Sequence, residues 1–304
     1  MQAHTHVSTG MLAGETIGIL AGWGRYPVMV AEAVRRHGGR TAILAIRDHA
    51  DAELAALADV HGDVGVAEIG HAIEFFKAAG CRRATMAGKV HKKKLFGKRA
   101  WLHHLPDWTG LTTFWPHFVS RRRDNRDDSL LGAIAAAFDA RGVTICPATD
   151  FAPELLAAEG ILAGRPLTQR LAADVAFGWH LAKELGRHDI GQTVVVRNRA
   201  PLALEAIEGT DECIRRAGVL CPAGGMTVVK VAKPQQDLRF DMPTIGVGTL
   251  ESLAAAGAAV LAIEAGRTIL VDAPALAARA VAAGITIASL CDAGGLPALR
   301  DAAA

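Results

Sequence analysis

The chain has 304 residues, of which 51% are hydrophobic and 21% charged, and its formal net charge at pH 7 is +2. This length favours two domains over one core, and so small a net charge argues against general nucleic-acid binding. The composition is that of an ordinary globular protein. Five cysteines without a CxxC pair disfavour both a disulfide framework and a cysteine zinc site, and they favour a reducing compartment. With no signal-peptide pattern at the N-terminus, we expect a cytoplasmic protein.

Strand-like and helical segments alternate through the first half. TIGILAG (16–22) predicts a buried strand, GWGRYP a turn, and VMVAEAVRRHGG (28–39) a helix that ends at glycine. TAILAI, DVGVAEI and CRRATMAG predict three further strands, with helices between them. Strands separated in this way predict a parallel, doubly wound sheet.

The alternation breaks at residues 89–128. This region holds the lysine-rich segment HKKKLFGKR (91–99), three of the five tryptophans and the charged run RRRDNRDD (121–128). Cations mixed with large aromatic side chains suit contact with lipid, although packing of the aromatic residues between domains is an equal alternative. A helix and a strand follow, and the glycine- and proline-rich residues 151–168 predict a linker.

The second half predicts another α/β domain, more hairpin-like than the first. A helix at 171–186 precedes the strand-like segments QTVVVRN (192–198) and APLALEAI (200–207), and a helix and the strand MTVVKVA (226–232) follow. Further helix and strand patterns run from residue 249 onwards. The predicted domains are therefore residues 16–150 and 169–304.

Glycines in the first turn suggest a phosphate contact. Gly22 and Gly24 lie between a strand and a helix, where backbone N–H groups can approach an anion. Pro27 replaces the third glycine of the dinucleotide fingerprint. The missing glycine speaks against an NAD(P)-dependent oxidoreductase, which stays an alternative, and a glycine turn without a ligand explains the pattern as well as a phosphate-binding loop does.

The segment EAIEGTDE (205–212) crowds carboxylates onto one turn. Thr210 or Asp211 is expected to cap the following helix. Capping does not explain Glu205 and Glu208, because like charges this close are costly unless a cation or basic group shares the site.

The segment KVAKPQQDLRFDMPTIGVGT (230–249) also brings carboxylates close together, here with basic side chains between them. As an extended strand it would place Asp237, Arg239 and Asp241 on one face. Lys233 and Arg239 could then bind phosphoryl oxygens, while the aspartates hold Mg²⁺ or activate water. The alternative is a solvated strand face with an Arg–Asp pair worth less than about 1 kcal/mol.

Six segments in this order resemble one enzyme family. They are LAGWGRYP, AGKV, RDDSLL, DIGQTVVV, EAIEGTD and KPQQDLRFDMPTIG. The chain is similar, from about residue 16 to 290, to UDP-2,3-diacylglucosamine pyrophosphatases of the LpxI type. The resemblance implies an N-terminal Rossmann-like domain and a C-terminal mixed α/β catalytic domain. It also implies Mg²⁺-dependent hydrolysis of UDP-2,3-diacylglucosamine to UMP and 2,3-diacylglucosamine 1-phosphate (lipid X) in lipid A biosynthesis.

The resemblance places the essential aspartate of the family at Asp241. We expect Asp241 to act as base or metal ligand, with Asp237, Asp211 and Glu208 in support and with Asp211 as the second Mg²⁺ ligand. Residues 91–125 match the family pattern poorly. The expected substrate-binding residues are Gly22, Gly24, Lys89, Gln192, Thr210, Lys233, Gln236, Arg239 and Thr249.

The expected partner is a lipid-linked nucleotide sugar and not a nucleic acid. Peripheral contact with the inner membrane and a homodimer formed through the alanine-rich helices are further expectations. Besides the oxidoreductase, two alternatives stay open. One is a nucleotide-sugar-binding protein without turnover, and the other is a membrane-associated structural protein.

Overall fold

The computed structural model describes residues 11–90, 105–119 and 127–291. The lysine-rich segment at 91–99 and the arginines of 121–126 lie outside the described residues. The chain divides into two compact units. The first comprises Met1–Pro153 together with Asp237–Asp241, and the second comprises Glu154–Gln236 and Met242–Ala304.

Five strands form the sheet of the first unit, in the order β3-β2-β1-β4-β5, and all neighbours are parallel. The predicted parallel α/β sheet is confirmed, in the strand order of dinucleotide-binding folds. The strands are β1 (Thr16–Ala21), β2 (Arg40–Ile46), β3 (Val60–Val64), β4 (Arg83–Ala87) and β5 (Thr144–Ile145). The helices are α1 (Arg25–Arg36), α2 (Leu54–Leu57), α3 (Ile69–Ala78), α4 (Trp108–Val119) and α5 (Asp127–Asp139).

The first sheet is buried by apolar side chains. All residues of β2 after Arg40 are buried, as expected for a parallel strand with helices on both faces. Phe76 of α3 and Phe138 of α5 are fully buried in one cluster, with their ring centroids 6.2 Å apart. Phe240, from the segment that joins this unit late in the chain, packs against the same cluster.

Six strands form the main sheet of the second unit, in the order β6-β13-β11-β9-β7-β8. The three central strands β13, β11 and β9 are parallel, while β6, β7 and β8 run antiparallel to their neighbours. The strands are β6 (Gly160–Ala163), β7 (Thr193–Arg197), β8 (Ala200–Leu204), β9 (Met226–Lys230), β11 (Ala258–Glu264) and β13 (Thr286–Leu290). A second sheet pairs β10 (Thr244–Ile245) with β12 (Ile269–Leu270).

The mixed α/β character of this unit is confirmed, although its centre is more parallel than the sequence pattern suggested. Two strands were not predicted: β13, and β6, which lies within the predicted linker 151–168. The domain limits at residues 150 and 169 stay a prediction. The helices are α6 (Gln169–Arg187), α7 (Thr210–Leu220), α8 (Val247–Ala255) and α9 (Ala273–Ala282). Within the described ranges, no helix combines the length and hydropathy needed to cross a bilayer.

Candidate functional site

The first candidate region lies where β1 and β4 end. These strands are neighbours, and the strand order reverses between them, which is where parallel α/β sheets bind ligands. Gly22 N–H donates to the carbonyl of Ala87 at 2.8 Å. Trp23 and Lys89 exchange two backbone hydrogen bonds, of 2.8 and 2.9 Å. The segments LAGWGRYP and AGKV are thus joined at one edge of the first sheet.

Glycine is required in this turn for two different reasons. A Cβ atom on Gly22 would lie 2.8 Å from the carbonyl oxygen of Lys89, so no side chain fits. Gly24 has φ of 105°, which side-chain-bearing residues rarely adopt. Gly24 also precedes α1, whose first N–H groups receive no side-chain cap. The turn therefore presents backbone donors at the positive end of a helix.

The segment after β9 is not the extended strand that the alternating pattern predicted. Turns occur at 234–235 and 238–240, and the N–H groups of Phe240 and Asp241 both donate to the carbonyl of Asp237. The Asp237 carboxylate accepts from the backbone N–H of Arg239 at 3.1 Å. Proline, and an aspartate whose side chain accepts a nearby backbone N–H, favour turns over a strand. The predicted common face therefore does not form.

Asp237 and Arg239 form an ion pair with three side-chain hydrogen bonds, the longest of which runs 3.2 Å from Nε to Oδ2. Arg239 Nη2 lies 2.7 Å from Asp237 Oδ2, and Nε lies 3.0 Å from Oδ1. This hydrogen bonding holds the pKa of Asp237 below its ordinary value and raises the pKa of Arg239. The Arg239 guanidinium also lies over the Phe240 ring, 4.9 Å from its centroid. Asp237 is thus fixed as an anion, while the partly exposed Asp241 carboxylate accepts no hydrogen bond from the described residues.

A second candidate region lies in the second unit, at the edge where β9 and β11 end and β7 begins. Glu205, which follows β8 and is buried, accepts from the Thr210 hydroxyl at 3.0 Å and from the N–H of Gln192 at 3.4 Å. A Cβ atom on Gly191 would collide with the carbonyl of Glu205. The segments DIGQTVVV and EAIEGTD, which the β7–β8 hairpin joins, therefore meet at this edge.

Glu205 and Glu208, two of the four carboxylates of EAIEGTDE, have protein partners. Glu208 pairs with Arg216 at 2.8 Å, and Glu205 has the donors just described. The predicted caps are wrong: α7 begins after Gly209, whose φ is 84°, and neither Thr210 nor Asp211 caps it with its side chain. The Thr210 hydroxyl instead donates a hydrogen bond to the Glu205 carboxylate. Asp211 lies in the first turn of α7, where a negative charge interacts favourably with the helix dipole.

Lys233 pairs with the first residue of the segment DIGQTVVV. Its ammonium is 2.7 Å from Asp189 Oδ1, and its N–H donates to the Gln236 side-chain carbonyl at 3.0 Å. Two buried side-chain atoms nearby in the chain, Gln192 Oε1 and Gln236 Nε2, have no hydrogen-bond partner among the described residues. Such atoms are rare in folded proteins and are natural contacts for a ligand or water.

The predicted residues thus separate into two groups. Gly22, Gly24, Lys89, Asp237, Arg239 and Asp241 belong to the first unit. Glu208, Thr210, Asp211, Gln192, Lys233, Gln236 and Thr249 belong to the second, with Thr249 in the first turn of α8. Sequence reasoning missed Asp189, the partner of Lys233, although it opens the segment DIGQTVVV.

The expected Mg²⁺ ligands Asp241 and Asp211 do not belong to a ready-made cage. Within residues 11–90, 105–119 and 127–291, no group of three or more histidine, cysteine, aspartate or glutamate side chains is placed to hold a metal. Mg²⁺ often uses only one or two carboxylates and takes its other ligands from substrate phosphates and water. The donor chemistry therefore fits an ion that arrives with a diphosphate.

Comparison with known proteins places the chain in a family. Residues 16–155 match the LpxI N-terminal domain, and residues 158–288 match the LpxI C-terminal domain. Over 278 residues the chain is 33% identical to UDP-2,3-diacylglucosamine pyrophosphatase LpxI of Caulobacter vibrioides, which covers 89% of this chain and 96% of that protein. The chain belongs to the LpxI family.

Proposed function

We propose that this protein hydrolyses the diphosphate of UDP-2,3-diacylglucosamine, giving UMP and 2,3-diacylglucosamine 1-phosphate, as a step of lipid A synthesis. The similarity to the Caulobacter enzyme along nearly the full length of both chains carries this proposal. As a member of the LpxI family the protein is a hydrolase, as the sequence motifs predicted.

The charges and N–H groups of each region suit phosphate oxygens. Phosphoryl transfer needs the charge of the phosphate oxygens to be neutralised and the reacting groups to be aligned. Lys233 supplies an ammonium and Arg239 a guanidinium, each held in place by a carboxylate. The uncapped N–H groups at the start of α1 add donors that carry no side-chain entropy cost.

Asp241 is our candidate for the group that orients or deprotonates the attacking water. Asp237, the other carboxylate of the segment, accepts three hydrogen bonds from the Arg239 side chain and one from its N–H. The Asp241 carboxylate accepts none within the described part of the chain, so its oxygens stay open for water or a cation. Its backbone N–H donates to Asp237, which fixes the turn that presents it.

Mg²⁺ is part of the proposal. Asp241, whose carboxylate accepts no hydrogen bond within the described part of the chain, is the ligand we propose for it, and Asp211, in the second unit, stays a prediction. When bound, the ion would offset the charge of the diphosphate. The carboxylates of Glu208 and Glu205 are already engaged by Arg216 and Thr210, which makes them weaker candidates.

Contact with the inner membrane from the cytoplasmic side is also proposed. Leu105, which precedes α4, and Trp108 and Leu111 in its first turn are exposed, and Trp108 leaves 78% of its surface open to solvent. An exposed tryptophan beside leucines suits the lipid interface, and the proposed substrate carries two acyl chains.

The test is release of UMP from UDP-2,3-diacylglucosamine by the purified protein, with Mg²⁺, with EDTA, and with EDTA followed by excess Mg²⁺. We expect UMP and lipid X in the first and third reactions only. Binding of the substrate without release of UMP would favour the nucleotide-sugar-binding alternative. Calorimetric titration with NAD and NADP tests the oxidoreductase alternative, and we expect no binding.

A further inference from the structure

A buried ion pair lies at the point where the chain leaves β9. Lys183 of α6 is 2.8 Å from each oxygen of Glu264, the last residue of β11, and Glu264 is 1% exposed. The same two side chains hold the backbone of Ala232. Its N–H donates to Glu264 at 2.8 Å, and its carbonyl accepts from Lys183 at 3.3 Å. One residue is therefore gripped through both of its peptide groups.

The following residues rest on the next turn of α6. A Cβ atom on Gly186 would lie 3.2 Å from the Cα of Lys233 and 3.1 Å from Cδ of Pro234, so glycine allows close approach there. The Gln235 side-chain amide donates to the carbonyl of Arg187 at 3.0 Å. The end of α6 thus forms a cradle for residues 232–235.

This cradle fixes residues 232–235, which belong to no sheet. Val231 N–H still bonds to the carbonyl of Gln192, but between β9 and β10 no residue belongs to a strand. Lys233 follows Ala232 directly, and Gln236 comes three residues after Lys233. Their placement therefore depends on the direction in which the backbone leaves Ala232.

We propose that Lys183 and Glu264 are positioning residues for the reaction: by gripping Ala232 they aim Lys233 and Gln236 at the diphosphate. The inference rests on the proposed function. Apolar side chains could fill the same space, often without loss of stability, because a buried ion pair is costly to desolvate. They could not bind an N–H and a carbonyl of the same residue.

The kinetic test compares wild type with Lys183→Met/Glu264→Leu. The double change leaves no buried charge of the pair without its partner, although Arg267, 3.7 Å from Glu264, loses a contact. We expect kcat/KM for UMP release to fall by about 10- to 100-fold, as small misplacements of a binding group do. Gly186→Ala, which displaces the same segment and leaves the ion pair intact, should also lower kcat/KM.

Asp174→Asn is the matched control. Asp174 is a fully buried carboxylate on the same helix and also holds backbone, accepting from the N–H groups of Asn198 and Arg199 at 3.1 and 2.6 Å. Those residues form the β7–β8 turn, at the opposite edge of the sheet. We expect a lower melting temperature with kcat/KM, per folded enzyme, within about twofold of wild type.

Hydrogen exchange gives a readout that does not depend on activity. The double variant should exchange the amides of 231–236 faster than wild type, while Asp174→Asn should not. Unchanged exchange, unchanged kcat/KM, or a loss of kcat/KM equal to that of Asp174→Asn would overturn the positioning role. Were the wild type inactive on UDP-2,3-diacylglucosamine, the proposed function would fail, and exchange alone would still decide whether the pair holds this segment.

Discussion

The two sheets offer a ligand different kinds of chemistry at the ends of their parallel strands. In the first unit, the edge at β1 and β4 is built from backbone, with Gly22 too close to Lys89 for any side chain. In the second unit, the corresponding edge is built from side chains joined in pairs, such as Lys233 with Asp189. A backbone edge recognises an anion by shape and N–H direction, whereas a paired edge recognises it by charge.

The segment Asp237–Asp241 qualifies this contrast. It belongs to the first unit, yet it carries charged side chains like those of the second. Phe240 attaches it to the apolar core there, and the Asp237–Arg239 pair shapes its turn. The first unit therefore gains a carboxylate, Asp241, that its own strand ends do not supply.

Asp241→Asn should have the largest effect, and it tests whether this added carboxylate is essential. If Asp241 orients water or holds Mg²⁺, kcat should fall by about 10²-fold or more, because the amide has no negative charge and is not a base. The measurement is UMP release at saturating substrate, with the melting temperature recorded in parallel. Glu251→Gln is the control, since Glu251 pairs with Arg279 at an exposed position. Activity of Asp241→Asn equal to that control would remove Asp241 from the site.

Gly22→Ala should have an intermediate effect and tests the backbone edge. The added methyl group meets the Lys89 carbonyl, so we expect a loss of about 1–3 kcal/mol in the free energy of unfolding, measured in urea, and a higher KM. Gly132→Ala is the control, because nothing lies within 4 Å of its Cβ position and it is inside α5. That change should stabilise by about 0.5–1 kcal/mol. Equal stability and KM of the two variants would mean that the turn accommodates the methyl group without loss of stability or affinity.

Arg239→Gln should have the smallest effect on stability and tests the paired side chains. The pKa of Asp237 is held below its ordinary value of 3.8, so the pair stabilises the fold above that pH, and the contribution is lost as the pH falls through the lowered pKa. Both side chains are about a third exposed, which limits the contribution to less than about 1 kcal/mol. The free energy of unfolding of wild type and variant should differ at pH 6, and the difference should shrink as the pH falls below 3.8. A difference that does not shrink below that pH would contradict this cause.

Sequence reasoning was most successful where the signal was local. The apolar run of β2 and the glycines after β1 predicted the parallel sheet and its turn, because burial on both faces and a positive φ each leave a residue-level signature. The ordered motifs identified the LpxI family, which the matched domains confirm. The roles of Asp241, Lys233 and the Mg²⁺ ligands stay predictions.

Reasoning from local pattern was wrong where side chains of one segment redirect its own backbone. The alternation in residues 230–249 suggested a strand, but Asp237 binds the N–H of Arg239 and closes a turn. Thr210 was predicted to cap the helix, but its hydroxyl donates to Glu205. In both cases a nearby hydrogen-bond partner outweighed the propensity on which the prediction depended.

The sequence by itself determined the family, the α/β class and the residues available for chemistry. Only the tertiary structure decided which of them are paired, because partners such as Lys183 and Glu264 lie far apart in the chain and carry no motif. It also decided that Asp237–Asp241 belong to the first unit, since that follows from the packing of Phe240 on a core formed by distant residues. Long-range contacts of this kind depend on the whole packed core, and no local pattern contains them.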